Sequence, residues 1–135
     1  MSAKPVALIT GVGPGTGSAL ARRFAEGGYA VAMLARDKER LTALESELPD
    51  AKAFICDVSK EDEIAATVSR VTETMGAVEV FVHNAVGGAW GSFLEIDPKT
   101  LAMNFQVNTM ALLHLRAVYT TAATTHPPRG AICGH

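Results

Sequence analysis

The chain has 135 residues, of which 48% are hydrophobic and 19% charged, a balance typical of one globular domain with a single core. A formal net charge of −2 offers no basic surface for nucleic acid or for an anionic membrane. The apolar runs are too short for a membrane span or a signal-peptide core, and Cys56 and Cys133 form neither a disulfide framework nor a zinc spacing. We therefore expect a cytoplasmic protein with two free thiols.

Short apolar runs alternate with amphipathic segments along the chain. In chain order the predicted elements are a strand at 6–10, a helix at 18–26, a strand at 29–35, a helix through Leu41, Leu44 and Leu48, a strand at 51–56, a helix through Ile64, Val68, Val71 and Met75, a strand at 78–82, a loop at 83–93, a helix from Pro98 to beyond Ala117, and a strand at 130–133. The segment 59–62 resembles a capping box, Gly76 is expected to end the helix that follows, and Asp97 is expected to cap the long helix. The methionines at helical positions, Met75, Met103 and Met110, are expected to fill the core.

Apolar strands that alternate with amphipathic helices predict an α/β fold with a doubly wound parallel sheet covered on both faces, the Rossmann fold. We expect one nucleotide-binding domain over residues 1–135, truncated after about five strands. The segment 116–135 has weak helical periodicity and is expected to be an atypical tail.

Four glycines, Gly11, Gly13, Gly15 and Gly17, stand between the first predicted strand and the first predicted helix. A helix N-terminus at this turn offers unpaired N–H groups and partial positive charge to a diphosphate, and glycine lets the anion approach the backbone. The spacing fits neither G-x-G-x-x-G nor the Walker pattern. It does fit T-G-x-x-x-G-x-G, beginning at Thr10.

This pattern resembles the nucleotide-binding turn of the short-chain dehydrogenase/reductase family, and the resemblance extends over about residues 5–115. Asp57-Val58 matches the family's adenine contact after the third strand. Asn84-Ala85 matches part of its N-N-A-G motif, from which His83 and Val86 depart. Val107-Asn108-Thr109 matches the V-N-x pattern that carries a catalytic asparagine. The resemblance implies Asn108 as a catalytic residue, and together with the glycine turn and the second strand end it gives these cofactor-binding residues: Gly11, Gly13, Pro14, Gly15, Thr16, Gly17, Arg36, Asp57, Val58, Asn84 and Ala85.

The end of the second predicted strand decides between the two nicotinamide cofactors. Family members that use NAD carry an acidic residue there, whereas this chain has Ala35 and then Arg36. A guanidinium suits a 2′-phosphate, so NADP(H) is favoured and NAD(H) remains possible. Two alternatives stay open: Arg36 pairs with Asp37 or Glu39 on the surface, or a small shift makes Asp37 the ribose ligand. Pro14 also occupies a position where many NADP-using members carry a basic residue.

The family's catalytic Y-x-x-x-K pair and serine have no counterpart in the sequence given. Tyr29 opens a strand, and Tyr119 is followed four residues later by Ala123. The chain is therefore expected to belong to a hydride-transferring oxidoreductase lineage and to be inactive alone. The alternatives are a non-catalytic nucleotide-binding or regulatory protein, a dimerising truncated homologue, and an inert truncation product. By the same resemblance, the helix at 98–115 is expected to support a homo-oligomer.

Several other residues have two interpretations. His83 at a strand end is expected to be a packed, hydrogen-bonded histidine rather than a catalyst. Trp90 and Phe93 either flank a substrate or cover the end of the sheet. His126, Cys133 and His135 match no standard metal spacing, and we expect their proximity in sequence to be chance.

Overall fold

A computed structural model gives the architecture and describes residues 3–119 together with the backbone of 131–133. The strands are β1 (Val6–Thr10), β2 (Ala30–Ala35), β3 (Ala51–Ile55), β4 (Val78–His83) and β5 (Ala131–Cys133). The helices are α1 (Thr16–Glu26), α2 (Lys38–Glu47), α3 (Glu61–Met75), α4 (Pro98–Phe105) and α5 (Ala111–Leu115), with a π-helical segment (Gln106–Met110) and a 3-10 turn (Arg116–Tyr119).

The strands form one sheet in the order β3-β2-β1-β4-β5, and every neighbouring pair is parallel. Because the order reverses direction between β1 and β4, this is the doubly wound sheet that the alternating pattern predicts. The carboxyl ends of β1 and β4 lie side by side at the reversal, where ligands bind in open α/β sheets.

The two faces of the sheet are covered by different helices. One core cluster joins Leu8 and Phe81 of the sheet to α3 and α5 through Ile64 and Leu115. The other joins Ile9 and neighbouring strand residues to α1 and α2. Burial on both faces explains why β2 is apolar throughout, and β1 up to Thr10, rather than alternating.

Local differences from the predicted elements have physical causes. No side chain caps the start of α3; Ser59 instead donates from its backbone N–H and its hydroxyl to Asp57, so the expected capping box is wrong. Gly76 does end α3, with a φ of +100°. Met103 is 53% exposed and is not core filler, whereas Met75 packs against the core.

The long helix is helical from 98 to 119, but its middle widens into the π-helical segment. Asp97 caps it by accepting a hydrogen bond from the Lys99 N–H, at 2.8 Å. Within residues 3–119, no helix combines the length and the apolar character that a membrane crossing requires.

Candidate dinucleotide site

Two of the four glycines in the β1–α1 turn are required by close packing, and two border open space. Gly11 has a φ of +70°, and a Cβ there would lie 2.6 Å from the backbone nitrogen of Ala85. A Cβ on Gly17 would overlap the Gly11 carbonyl oxygen, so this glycine lets α1 approach β1. Gly13 and Gly15 have no atom within 4 Å of the place where a Cβ would stand. A ligand can therefore approach the backbone at these two positions.

The N-terminus of α1 carries no compensating negative charge. Gly15 is its N-cap, no side chain accepts a capping hydrogen bond, and the first turn contains no acidic residue. The Ser18 hydroxyl donates to the Gly13 carbonyl and thereby holds the turn in place. Free amides and an uncompensated helix dipole at this point favour an anionic ligand.

The Thr10 side chain joins β1 to the chain leaving β4. Its hydroxyl oxygen is buried and accepts hydrogen bonds from the backbone N–H groups of Asn84 and Ala85, at 3.1 and 3.2 Å. The Asn84 side-chain amide donates to the Gly11 carbonyl, at 3.1 Å. These bonds fix the segment 84–97 that follows β4, here called the β4 loop, against the glycine turn, which places both segments along the same edge of the sheet.

A cavity of about 460 Å³ opens at this edge, between the ends of β1, β2 and β3 and the start of the β4 loop. Its lining includes the predicted residues Gly11, Gly13, Arg36, Asp57, Val58 and Ala85. Further lining residues are Val12, Leu34, Ala35, Asp37, Arg40, Cys56, Ser59, Val86, Gly87, Met103 and Val107. The other predicted residues lie outside this lining: Pro14, Gly15, Thr16 and Gly17 in the turn and the first helix, Asn84 directly after β4, and Asn108 in the π-helical segment.

Asp57 is held ionised at the cavity wall. The Ser59 hydroxyl and backbone N–H both donate to its Oδ1, at 2.7 and 3.0 Å, and the hydroxyl bond above all lowers the pKa of this carboxyl. The Arg36 guanidinium also contributes to this lowering of the pKa. A carboxylate with a free second oxygen can accept a hydrogen bond from a polar ligand group.

The neighbouring acid, Asp37, already has partners. It is the N-cap of α2, accepting from the Arg40 N–H at 3.2 Å, and its other oxygen lies 3.3 Å from Arg40 Nε. Arg36 is exposed and lines the cavity. The cation at the end of β2 therefore faces the cavity, while the adjacent carboxylate is engaged within its own helix.

Asn108 uses both ends of its side-chain amide on one residue of the β4 loop. Its Oδ1 accepts from the Gly87 N–H at 2.7 Å, and its Nδ2 donates to the Gly87 carbonyl at 3.0 Å. A Cβ on Gly87 would lie 2.9 Å from Asn104 Oδ1, so glycine suits this close approach. The pair of bonds holds the π-helical segment against the loop that lines the cavity.

The burial of the remaining candidate residues decides how each is interpreted. The expectation for His83 is confirmed: it is 3% exposed and hydrogen-bonded through both ring nitrogens. Cys56 is a free, buried cysteine, and burial raises the pKa of its thiol. Trp90 and Phe93 are exposed by 100% and 93%, so they do not cover the sheet.

No group of three His, Cys, Asp or Glu side chains in the described part of the chain could hold a metal ion. His126 and His135 lie outside the described residues, and Cys133 is described only as part of β5.

Sequence reasoning missed Thr10 as the acceptor that joins two strands, and Arg40 as a cavity residue. A signal for Thr10 was present, since it is the only polar residue in the strand VALIT. Arg40 carried no such signal because its approach to the cavity depends on where α2 begins. Met103 and Val107 reach the cavity from a helix more than forty residues beyond β3, a placement that local pattern does not specify.

Comparison with known proteins agrees with this geometry. The family model of the short chain dehydrogenases matches residues 5–132. An L-fucose dehydrogenase from Oryctolagus cuniculus is 31% identical over 124 residues, covering 90% of this chain and 41% of that protein. A farnesol dehydrogenase from Aedes aegypti is 40% identical over 85 residues, covering 59% and 35%. This chain thus spans less than half the length of these relatives.

Solved structures show the same fold. A metagenomic short-chain oxidoreductase in complex with NADP superposes with a TM-score of 0.82 at 33% identity, covering 88% of this chain and 56% of that one. A variant of actinorhodin polyketide ketoreductase with NADPH gives 0.81 at 31% identity, covering 85% and 46%. A 3-ketoacyl-(acyl-carrier-protein) reductase from Brucella melitensis complexed with NADH gives 0.78 at 31% identity, covering 85% and 48%.

Proposed function

The chain belongs to the short chain dehydrogenase family, and on that premise we propose that it is the NADP(H)-binding part of an oxidoreductase that transfers hydride between nicotinamide and a carbonyl or alcohol. One observation carries the proposal. Gly13 and Gly15 border open space beside an uncapped helix N-terminus, and Gly13 also lines the cavity of about 460 Å³. A pyrophosphate needs such a backbone, because any side chain there would occupy its place.

The cavity residues suit the adenosine half of the cofactor. In this proposal Asp57 and Val58, which line the cavity, contact adenine, and Arg36, which also lines it, contacts the ribose 2′ position. Ala85 would line the cavity between the adenosine and the nicotinamide. Asn84 would keep this part of the β4 loop in position through its hydrogen bond to the Gly11 carbonyl. The pyrophosphate would lie on the turn from Gly11 to Gly17.

The preference for NADP(H) is supported by the unequal engagement of the two side chains after β2. Asp37 is already bonded to Arg40 through both carboxylate oxygens, so binding the hydroxyls of an NAD ribose would disturb the cap of α2. Arg36 faces the cavity and could form a charge-assisted, two-pronged contact with a 2′-phosphate.

Asn108 is proposed as the catalytic residue of this portion of the site. Both ends of its amide bind Gly87, which lines the cavity, so its segment is held beside the expected position of the nicotinamide.

The exposed apolar side chains of α4, such as Leu101 and Phe105, are available for the self-association that we propose for the helix at 98–115.

Calorimetric titration with NADPH and NADH tests the proposal on the chain as it stands. NADPH is expected to bind more tightly than NADH, and Arg36→Gln should weaken NADPH by about 10- to 100-fold, the range of a lost charged hydrogen bond. NADH affinity should change little. Lys38→Gln is the matched control. It also removes one positive charge, two residues after Arg36, but the Lys38 side chain does not line the cavity.

Three results would contradict parts of the proposal. No heat with either cofactor would refute dinucleotide binding altogether. Equal affinity for both, unaltered by Arg36→Gln, would refute the preference for NADP(H). Robust turnover of a panel of carbonyl substrates by this chain would refute the expectation that it is inactive alone.

A further inference from the structure

His83 occupies the end of β4, between β1 and the π-helical segment. Its Nδ1 lies 2.9 Å from the Thr10 hydroxyl, and its Nε2 lies 3.0 Å from the Val107 carbonyl oxygen. His83 is 3% exposed, and its contact with Thr10 is buried. A single side chain thus connects the central strand to a turn of the long helix.

The hydrogen-bond partners decide which ring nitrogen carries the proton. A carbonyl oxygen only accepts, so Nε2 must carry the hydrogen that it donates to Val107. The Thr10 oxygen already accepts from the N–H groups of Asn84 and Ala85, which uses both of its lone pairs. Its own hydrogen is therefore donated to a bare Nδ1, and His83 is the neutral Nε2–H tautomer.

The π-helical segment explains why the Val107 carbonyl needs this donor. In a regular α-helix the Ala111 N–H would bond to Val107, four residues earlier. Here it bonds to the Gln106 carbonyl, five residues earlier. The widened turn thus removes the regular donor from Val107, and the His83 Nε2–H replaces it.

The turn that His83 holds is part of the cavity wall. Val107 lines the cavity, and the next residue, Asn108, binds the backbone of Gly87, which also lines it. We propose that His83 is a positioning residue whose Nε2–H anchors the π-helical segment, and through it the Asn108–Gly87 contact, against the dinucleotide cavity. The consequence for cofactor affinity rests on the proposed function, whereas the tautomer and the anchoring do not.

Two substitutions test the hydrogen bonds of the two His83 ring nitrogens separately. The Asn amide reaches about as far as Nδ1, so His83→Asn keeps a partner for Thr10 and loses the donor to Val107. The longer Gln amide reaches about as far as Nε2, so His83→Gln restores that donor. We expect His83→Asn to weaken NADPH binding about tenfold, the effect of one hydrogen bond, and His83→Gln to stay within about threefold of the parent chain.

Two measurements need no cofactor. Nitrogen NMR of the chain labelled at histidine, with the His83 signals identified from the variants, should show a bare Nδ1 and a protonated Nε2 at neutral pH. Hydrogen exchange of the Gly87 amide should accelerate in His83→Asn and stay slow in His83→Gln.

An Nδ1–H tautomer or a charged ring would overturn the inference, as would equal exchange rates in the two variants. Should the parent chain bind no dinucleotide, the proposed function fails while the tautomer and the exchange rates still decide this inference. Should a variant fail to fold, the tautomer of the parent chain decides it.

Discussion

Alanine substitutions at Gly13 and Gly17 should have opposite consequences. Gly17→Ala places a methyl group on the Gly11 carbonyl oxygen and 2.7 Å from the Val12 Cα, and all of these neighbours are backbone atoms. Gly13→Ala places its methyl group in open space, and the φ of Gly13 lies outside the left-handed region. The first change should therefore affect folding, and the second should affect only what binds outside the turn.

The two substitutions should change the free energy of unfolding by different amounts and in opposite directions. Gly17→Ala should lower the free energy of unfolding by about 1–3 kcal/mol through overpacking, after allowance for the roughly 1 kcal/mol by which alanine favours a helix. Gly13→Ala should leave that free energy unchanged or raise it by about 0.4–1 kcal/mol, because alanine restricts the unfolded chain. NADPH affinity should fall by about 10- to 100-fold in Gly13→Ala, since the methyl group displaces a phosphate from a backbone amide.

Urea unfolding, followed by circular dichroism, and NADPH calorimetry on the same preparations measure both quantities. Gly28→Ala, in a turn with a φ of +89° outside the cavity, is a control for backbone strain without loss of ligand space. Normal NADPH affinity in Gly13→Ala would refute the argument that this glycine leaves room for a ligand. Full stability of Gly17→Ala would refute the packing argument.

Three further outcomes are expected. Burial lowers the pKa of His83 below its ordinary 6.5, so its neutral form stabilises the fold above that pH. As the pH falls below about 6.5, His83 becomes protonated in the unfolded chain but stays neutral in the folded chain. The free energy of unfolding measured in urea should therefore decrease until the pH is below the folded pKa. His83→Gln should make this decrease smaller. Thr10→Val leaves two N–H groups of the β4 loop without their acceptor and should cost about 2–4 kcal/mol in urea, with Thr10→Ser retaining most of the stability. Asp37→Ala should cost about 1 kcal/mol by removing the cap of α2, and Asp37→Asn should cost less, as thermal unfolding would show.

The sequence was sufficient for the fold class because the relevant signals are local. Apolar runs long enough for buried strands, separated by helices of ordinary length, leave few topologies other than a doubly wound sheet. The position of the glycine turn then follows, since the first strand of such a sheet is central. Six of the residues expected to bind the cofactor accordingly line one cavity.

Residues that occupy similar positions in the sequence pattern have different packing environments in the structure. Gly13 and Gly17 lie in the same glycine-rich turn, yet of the two only Gly17 is packed against another part of the backbone. Met103 shares helical spacing with core residues but is exposed, because no described element covers that face of α4. Spacing specifies which face a residue is on, and it leaves open what lies opposite that face.

What the sequence by itself determined is the order of the elements, the parallel sheet and the turn where strand meets helix, because periodicity and glycine sterics act between residues a few positions apart. Only the tertiary structure decided that Thr10 accepts bonds from residues more than seventy positions away, and that His83 donates to a carbonyl in a widened helical turn. Hydrogen bonds need atoms within about 3 Å of one another. For residues so far apart in the chain, that proximity is set by the packing of whole strands and helices.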